Sequence, residues 1–351
     1  MPTEKDLQNK EASKYRLGRA AALRWPSPDP LPTGGPSTAI RLTVVGRLRD
    51  LGLIPALIGM GAIFSLTTKY FLTQQNLLNI LEQNAALGIA AIGATFVILS
   101  RGIDLSVGST IGAAGVAASA VMLHVHNIAL GIAAGVAAGF LTGSTLGFLI
   151  ALFDLTPFVV TLAGMFFVSG LTLDLTQGNT LGPLPFWLDN LVFRTVLGIP
   201  VAALTTVALF VLSQIALSRT TWGRRVQLLG SNPQAARISG VDVRFVTWSV
   251  YAVAGLFSGI AGVELVASLS AATADTGAPF LLPVIGAVII GGTSLFGGRG
   301  SIARTGMGVL FLAVLINGLS LLGFQVYDQQ AVEGAVILIA AALDILLHRK
   351  G

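Results

Sequence analysis

The sequence contains no cysteine, which excludes disulfide bonds and thiol chemistry. It is also poor in charge, because Asp, Glu, Lys and Arg make up 11% of its 351 residues, against roughly 25% in a typical soluble domain. In their place, 54% of the residues are hydrophobic and long apolar runs recur along the chain. These features predict an all-α polytopic membrane protein.

Lysine is absent between Lys69 and Lys350. The glycine cluster at 291–300 therefore lacks the lysine with which a phosphate-binding loop reaches the β- and γ-phosphates of a nucleotide. We interpret these glycines as helix-packing residues, since small side chains let helices approach closely in lipid. If the protein uses ATP, another subunit must hydrolyse it.

Histidine is scarce as well, with three residues in the chain. His124 and His126 fall in a predicted loop, where two imidazoles without a nearby carboxylate make a poor metal site. No histidine lies inside a predicted span, so an intramembrane serine protease would lack its base. We therefore predict no catalytic residues, no metal and no cofactor bound by this chain.

Ten membrane spans are predicted from the apolar runs. They cover residues 51–68, 83–100, 105–123, 128–152, 157–175, 198–217, 246–268, 282–297, 301–322 and 330–347. Those at 83–100, 105–123 and 282–297 are short against the ~20 residues that a span needs, so we expect them to be tilted, broken or partly re-entrant.

The chain divides into three predicted parts. Residues 1–38 are basic and proline-rich, a composition typical of a disordered tail. Residues 39–50 have apolar residues at helical spacing with arginines between them, which predicts an interfacial helix. Residues 51–348 form the membrane domain.

The distribution of basic residues predicts the orientation. With an even number of spans and both termini in the cytoplasm, 19 of the 21 Lys and Arg residues fall inside, and Lys69 and Arg194 fall outside. This asymmetry satisfies the positive-inside rule. We therefore assign the basic balance to membrane topology and not to nucleic-acid binding.

The polar stretch at 223–240, GRRVQLLGSNPQAARISG, interrupts the apolar sequence between the sixth and seventh spans. Asn232 is a good helix N-cap, Pro233 suits the first helical position, and Gly240 can end the helix in a left-handed conformation. A helix of ~10 Å is too short to cross a membrane. It is typical of a cytoplasmic docking element.

Polar and aromatic residues inside the spans are candidates for a solute pathway. They are Asn84, Thr95, Phe96, Ser169, Glu264 and Asn317, together with Ser320. Polyhydroxylated ligands bind to amide and hydroxyl partners beside an aromatic or apolar wall, and an ionisable residue at depth is a functional candidate. The alternative for each is an interhelical hydrogen bond. Asp104 and Ser106 are expected to cap the third span.

Four motifs occur in an order that resembles one family. They are ATFVILSRGIDLSVGS at 94–109, TPFVVTLAGMFFVSGL at 156–171, GSNPQAARISGV at 230–241 after a T-x-x-G-R segment, and VIGAVIIGGTSLFGGRGSI at 284–302. Together they are similar to the permeases of ribose-type ABC sugar importers, from about residue 50 to the end. The chain departs from the family at Phe280, Leu281, Leu282 and Pro283, where many relatives carry an acidic Glu-Leu-Asp run.

The resemblance implies a pore-forming subunit in a bacterial inner membrane. A second permease, two cytoplasmic ATPases that hold ATP and Mg²⁺, and a periplasmic or lipid-anchored sugar-binding protein are the implied partners. The residues implied to couple the permease to the ATPase are Gly223, Arg224, Gly230, Asn232, Ala235, Ala236, Arg237, Ser239 and Gly240. Two alternatives remain: an ion-coupled secondary carrier, and an exporter or lipid-handling permease of the same build.

Overall fold

The computed structural model describes residues 53–184 and 194–348, all of which belong to one compact unit. The predicted tail at 1–38, the predicted interfacial helix at 39–50 and the last basic pair at 349–350 lie outside the described residues. The three-part division of the chain therefore stays a prediction.

Helices account for most of the described chain. They are α1 (Leu53–Thr67), α2 (Gln74–Gln83), α3 (Ala85–Leu99), α4 (Val107–Val125), α5 (Ile128–Phe153), α6 (Pro157–Thr176), α7 (Val201–Arg219), α8 (Thr221–Ser231), α9 (Pro233–Ile238), α10 (Val243–Leu269), α11 (Leu281–Ile290), α12 (Ile302–Leu321) and α13 (Val326–His348). A 3-10 turn, Ala278–Phe280, precedes α11, and a hairpin of two short strands, β1 (Thr195–Val196) and β2 (Ile199–Pro200), precedes α7.

The described helices confirm an all-α polytopic membrane protein. Seven of them (α4, α5, α6, α7, α10, α12 and α13) are long and apolar enough to cross a membrane, and α2 with α3 makes an eighth candidate that is bent by 44°. Two shorter apolar helices, Leu53–Thr67 and Ala278–Ile290, account for the difference from the ten predicted spans. Where the short span 83–100 is predicted, the structure has a bent pair of helices, with the break at Asn84 between α2 and α3.

The prediction of a span over 282–297 is wrong in its extent. Helix α11 ends at Ile290, and the following glycine-rich residues form turns. Gly292, Gly297 and Gly298 have φ values of +82°, +80° and +72°, a backbone region that glycine enters without steric cost. The apolar content of this segment therefore reflects a packed loop and not a continuation of the helix.

The two longest helices, α5 and α10, pack backbone against backbone through a glycine seam, formed by Gly139 and Gly143 on α5 and Gly255 and Gly259 on α10. A β-carbon on Gly139 would stand 2.5 Å from the backbone of Gly259, and one on Gly143 would stand 2.7 Å from the Cα atom of Gly255. This contact is the close approach that small residues permit between helices in lipid.

Helix α3 is the centre of the bundle. All fifteen of its residues are buried, and it packs against α7, α10, α11 and α12. A helix that is apolar on every side is expected in such an interior position. Its two ends are therefore the points at which it meets the polar parts of the molecule.

Candidate functional site

A short helix, α9, lies at the place predicted for the docking element. The side chain of Asn232 accepts hydrogen bonds from the amides of Gln234 and Ala235, both at 3.0 Å, and Pro233 occupies the first turn. Gly240 follows the helix with φ at +77°. Capping and proline placement thus define this six-residue helix locally.

One face of α9 is anchored and the other is free in the described chain. Ala236 is fully buried, whereas Arg237, Ser239 and Gly240 are exposed, and Ala235 is half-buried. Ile238 has 88% of its surface exposed, which is unusual for a large apolar side chain on a polar segment. The free face combines this isoleucine with an arginine.

Helix α8 attaches the segment to the bundle. It is amphipathic, with Gly223, Val226 and Leu229 buried while Arg224 and Arg225 are exposed. Trp222 anchors its first turn, since the indole packs on the ring of Phe96 with centroids 5.0 Å apart and its Nε1–H donates to Ser249 Oγ at 2.8 Å. The side chain of Trp222 thereby joins α8 to α3 and to α10.

A second attachment is a glycine junction formed by Leu99, Gly230 and Gly298. The Gly298 amide donates to the Leu99 carbonyl at 2.8 Å. Gly230 lies against both groups, and a β-carbon on it would collide with the Leu99 carbonyl oxygen and the Gly298 amide nitrogen. The C-terminal end of α3, the end of α8 and the loop before α12 therefore meet where only glycine fits.

Three of the predicted pathway residues are packed inside the bundle. Thr95 is fully buried, and its hydroxyl lies 2.8 Å from that of Thr305 and donates to the Ala91 carbonyl at 2.6 Å. Phe96 is 1% exposed under Trp222. Asn317 exchanges two hydrogen bonds with Asn76 on α2. In this conformation the side chains of Thr95 and Phe96 present no surface to a solute.

Glu264 has a positional role that the sequence did not show. Its carboxylate accepts from the backbone amide of Ala86 in the first turn of α3 and lies near Glu82. Asn84, the N-cap residue of α3, makes no capping hydrogen bond with its side chain. Glu264 from α10 therefore supplies a side-chain acceptor to a free amide of that helix N-terminus, which the Asn84 side chain does not. Ser169, another of the predicted pathway residues, is half-buried on α6.

The turn between α3 and α4 is closed by Asp104. Its Oδ1 accepts from the backbone amide of Ser106 at 2.8 Å and from its hydroxyl at 2.6 Å. The expectation that Asp104 and Ser106 cap α4 is wrong in detail, because Ser106 is the N-cap residue but makes no side-chain capping bond. Burial raises the pKa of the Asp104 carboxyl, and its hydrogen bonds with Ser106 oppose that shift.

Among the six predicted pathway residues, Asn84 lines a described cavity of about 260 Å³. The wall includes four polar residues that the sequence analysis missed: Gln83, Gln329, Gln330 and Glu333. A signal was present, since Gln329 and Gln330 lie four and three residues before Glu333, the spacings at which side chains share a helix face. Within the described residues, no group of three His, Asp or Glu side chains is placed to hold a metal ion.

Comparisons of the chain with a family model and with individual proteins both identify permease proteins of transport systems. Residues 76–341 match the family model described as branched-chain amino acid transport system / permease component. The ribose import permease protein of Bacillus subtilis is 41% identical over 309 residues, which cover 87% of this chain and 95% of that protein. No solved structure matches the chain.

Two relatives from Escherichia coli carry other sugar names. The D-allose transport system permease protein is 34% identical, over 85% of this chain and 90% of its own length. The xylose transport system permease protein is 31% identical, over 91% of this chain and 97% of its own length.

Proposed function

The chain belongs to this family of ABC importer permease components, and we propose that it is the membrane subunit of an ATP-driven importer for a neutral monosaccharide. Its relatives are named for ribose, D-allose and xylose, which are pentoses and a hexose. It is a multi-pass protein of the bacterial cytoplasmic membrane and acts in transport, without a catalytic role.

The observation that carries this proposal furthest is the construction of the segment α8–α9. Its free face bears Ile238 and Arg237, and its inner face is fixed to α3 through the glycine junction and through Trp222. A rigid element that is fixed to the bundle and free on its outer face suits a contact with a second protein. We assign α9 as the coupling helix, with both chain termini in the cytoplasm.

The partners follow from that assignment. Two ATPase subunits hold ATP and Mg²⁺ and receive α9, with its exposed Arg237 and Ile238, in a cleft. A second permease subunit completes the pore, and a binding protein delivers the sugar from the opposite face. Closure of the ATPases would displace α9 and α8 as a unit and move the cytoplasmic end of α3 with them, as in hinge-type transmission.

Reconstitution tests the proposal. The permease, its ATPase and its binding protein are placed in vesicles, and uptake of labelled D-ribose, D-allose and D-xylose is measured separately with ATP on the ATPase side. We expect uptake of at least one sugar that stops when ATP is withheld. Uptake driven by an ion gradient without the ATPase would contradict the proposal and favour a secondary carrier.

A substitution on α9 tests the coupling assignment. Ala235→Arg places a large charged side chain on a half-buried position of α9. We expect ATP hydrolysis to continue without sugar uptake, while Ala235→Ser, which keeps a small side chain, transports normally. Normal uptake by Ala235→Arg would overturn the assignment.

A further inference from the structure

The cavity at the α2–α3 break combines amide, carboxylate and aromatic groups in one wall. Asn84 lies at the break itself, Phe280 comes from the 3-10 turn before α11, and Gln330 and Glu333 come from the first turns of α13. Its volume of about 260 Å³ is just below the ~300–1,000 Å³ usual for ligand pockets. A molecule the size of a single sugar ring suits such a space.

Several polar side chains in this wall lack a hydrogen-bond partner among the described residues. The side chains of Gln83, Gln330 and Glu333 make no hydrogen bond to any described residue. Glu333 is nevertheless half-buried. A carboxylate kept from water without a partner is costly unless a ligand or water supplies hydrogen bonds. Gln83 and Gln330 are exposed, so all three groups are available to hydrogen-bond a molecule in the cavity.

We propose that this cavity is a binding site for a neutral polyhydroxylated solute, with Glu333 accepting hydroxyl hydrogens and Gln83 and Gln330 donating and accepting beside the Phe280 ring. The apolar ring covers the C–H face of a sugar, a combination of walls that is typical of ligand pockets. The charge of Glu333 disfavours anionic solutes such as sugar phosphates.

The position of the cavity is consistent with the point at which the sugar enters the membrane subunit. This step rests on the proposed function and its orientation, in which Arg299 and Arg304 place the start of α12 in the cytoplasm. Leu312, in the second half of α12, and the first turns of α13 then lie toward the outer face. The binding protein would release its sugar on this side, so the cavity is the first site inside the membrane subunit.

The natural absence of cysteine allows a direct test. Single cysteines replace Gln83 or Gln330 in the assembled transporter, and a membrane-impermeant methanethiosulfonate is applied from the outer face. The probe is whichever of D-ribose, D-allose and D-xylose the wild-type assembly takes up. At a free sugar concentration about ten times the Kd, occupancy predicts a reaction about tenfold slower at both cysteines.

Gln325→Cys is the matched control. Gln325 is exposed just before α13 and does not line the cavity, so its reaction rate should not change with sugar. D-Ribose 5-phosphate, an anionic probe of similar size, should protect none of the three positions. Equal rates with and without the transported sugar at both cavity cysteines, or equal protection of Gln325→Cys, would overturn the proposal.

Transport by a conservative variant gives a second, independent readout. The loss of a hydrogen bond to a charged group predicts that Glu333→Gln needs about tenfold more sugar-loaded binding protein for half-maximal uptake. Asp328→Asn, on the same helix but outside the cavity, should behave as wild type. Wild-type uptake by Glu333→Gln would contradict the site while leaving the importer itself established; absence of uptake by the wild-type assembly would instead contradict the proposed function.

Discussion

Asn76 on α2 and Asn317 on α12 form a reciprocal pair, in which each side-chain amide donates to the other at 2.9 Å. Asn76 also donates to the Phe71 carbonyl at 2.9 Å and is 8% exposed. The pair fixes α2, the first helix of the bent pair, to α12 across a separation of 241 residues. Asn317 therefore has a structural partner independent of any solute.

This pairing predicts non-additive substitutions. Asn317→Ala leaves Asn76 with an unsatisfied buried group, which should cost about 1–3 kcal/mol of stability. Replacing both asparagines with alanine should cost less than the sum of the two single changes. Thermal unfolding in detergent, followed by tryptophan fluorescence, measures all three variants. Strict additivity would show that the pair contributes no coupling energy.

The glycine junction predicts a severe effect of one methyl group. Gly230→Ala has no room for its β-carbon against the backbone of Leu99 and Gly298, and overpacking of this kind costs about 1–3 kcal/mol. Sugar uptake per folded transporter should fall together with the stability, because α8 can no longer pack closely against α3.

Gly334→Ala is the control for that substitution. Gly334 lies within α13 with no atom near its β-carbon position, so alanine there should be neutral or stabilising by up to ~1 kcal/mol. If Gly230→Ala and Gly334→Ala show the same stability and the same uptake, the junction is not a tight contact.

Asp104 predicts opposite results for two neutral replacements. Its pKa is raised by burial, so the folded protein disfavours the charged form and loses stability from this group as pH rises through the shifted pKa. Asp104→Asn removes the charge but keeps an oxygen that accepts from Ser106, and its stability should equal or exceed that of the wild type.

Asp104→Ala also removes that acceptor and should lose about 1 kcal/mol. Unfolding temperatures at pH 5 and pH 8 distinguish the two effects: wild type should approach Asp104→Asn at the lower pH. A lower stability of Asp104→Asn than of Asp104→Ala would contradict this account.

The glycine seam predicts that a large side chain on α5 prevents this helix from packing against α10. Gly143→Leu cannot fit against the backbone of Gly255, whereas Gly170→Leu on α6 enters open space. We expect Gly143→Leu to give little monodisperse protein on size-exclusion chromatography in detergent and Gly170→Leu to give a normal yield. Equal yields would mean that α5 and α10 can separate without loss of the fold.

Local patterns predicted the local structure well. Of the ten spans predicted from apolar runs, eight coincide with span candidates in the structure, and Asn232 with Pro233 placed α9 to within a residue. The span at 282–297 was wrong because hydropathy does not register the left-handed glycines that turn the chain after Ile290. The capping of α3 by Glu264 was missed because it joins residues far apart in sequence.

The candidate pathway shows the same limit. Thr95, Phe96 and Asn317 were chosen for their chemistry, which suits a solute and a buried partner equally. Only tertiary contacts decide between the two, and in the structure all three have protein partners. The cavity is assembled from α2, α3, α11, α12 and α13, and no local pattern connects those elements.

The complete burial of α3 has one more consequence. Because no side of this helix faces lipid, it cannot shift without displacing α7, α10, α11 and α12 together. Close-packed interiors resist gradual deformation and change between discrete arrangements. A displacement of the Leu99 end should therefore have no effect below a threshold and should then rearrange the Asn84 end in a single step. Each transport cycle would then be completed in full or not at all.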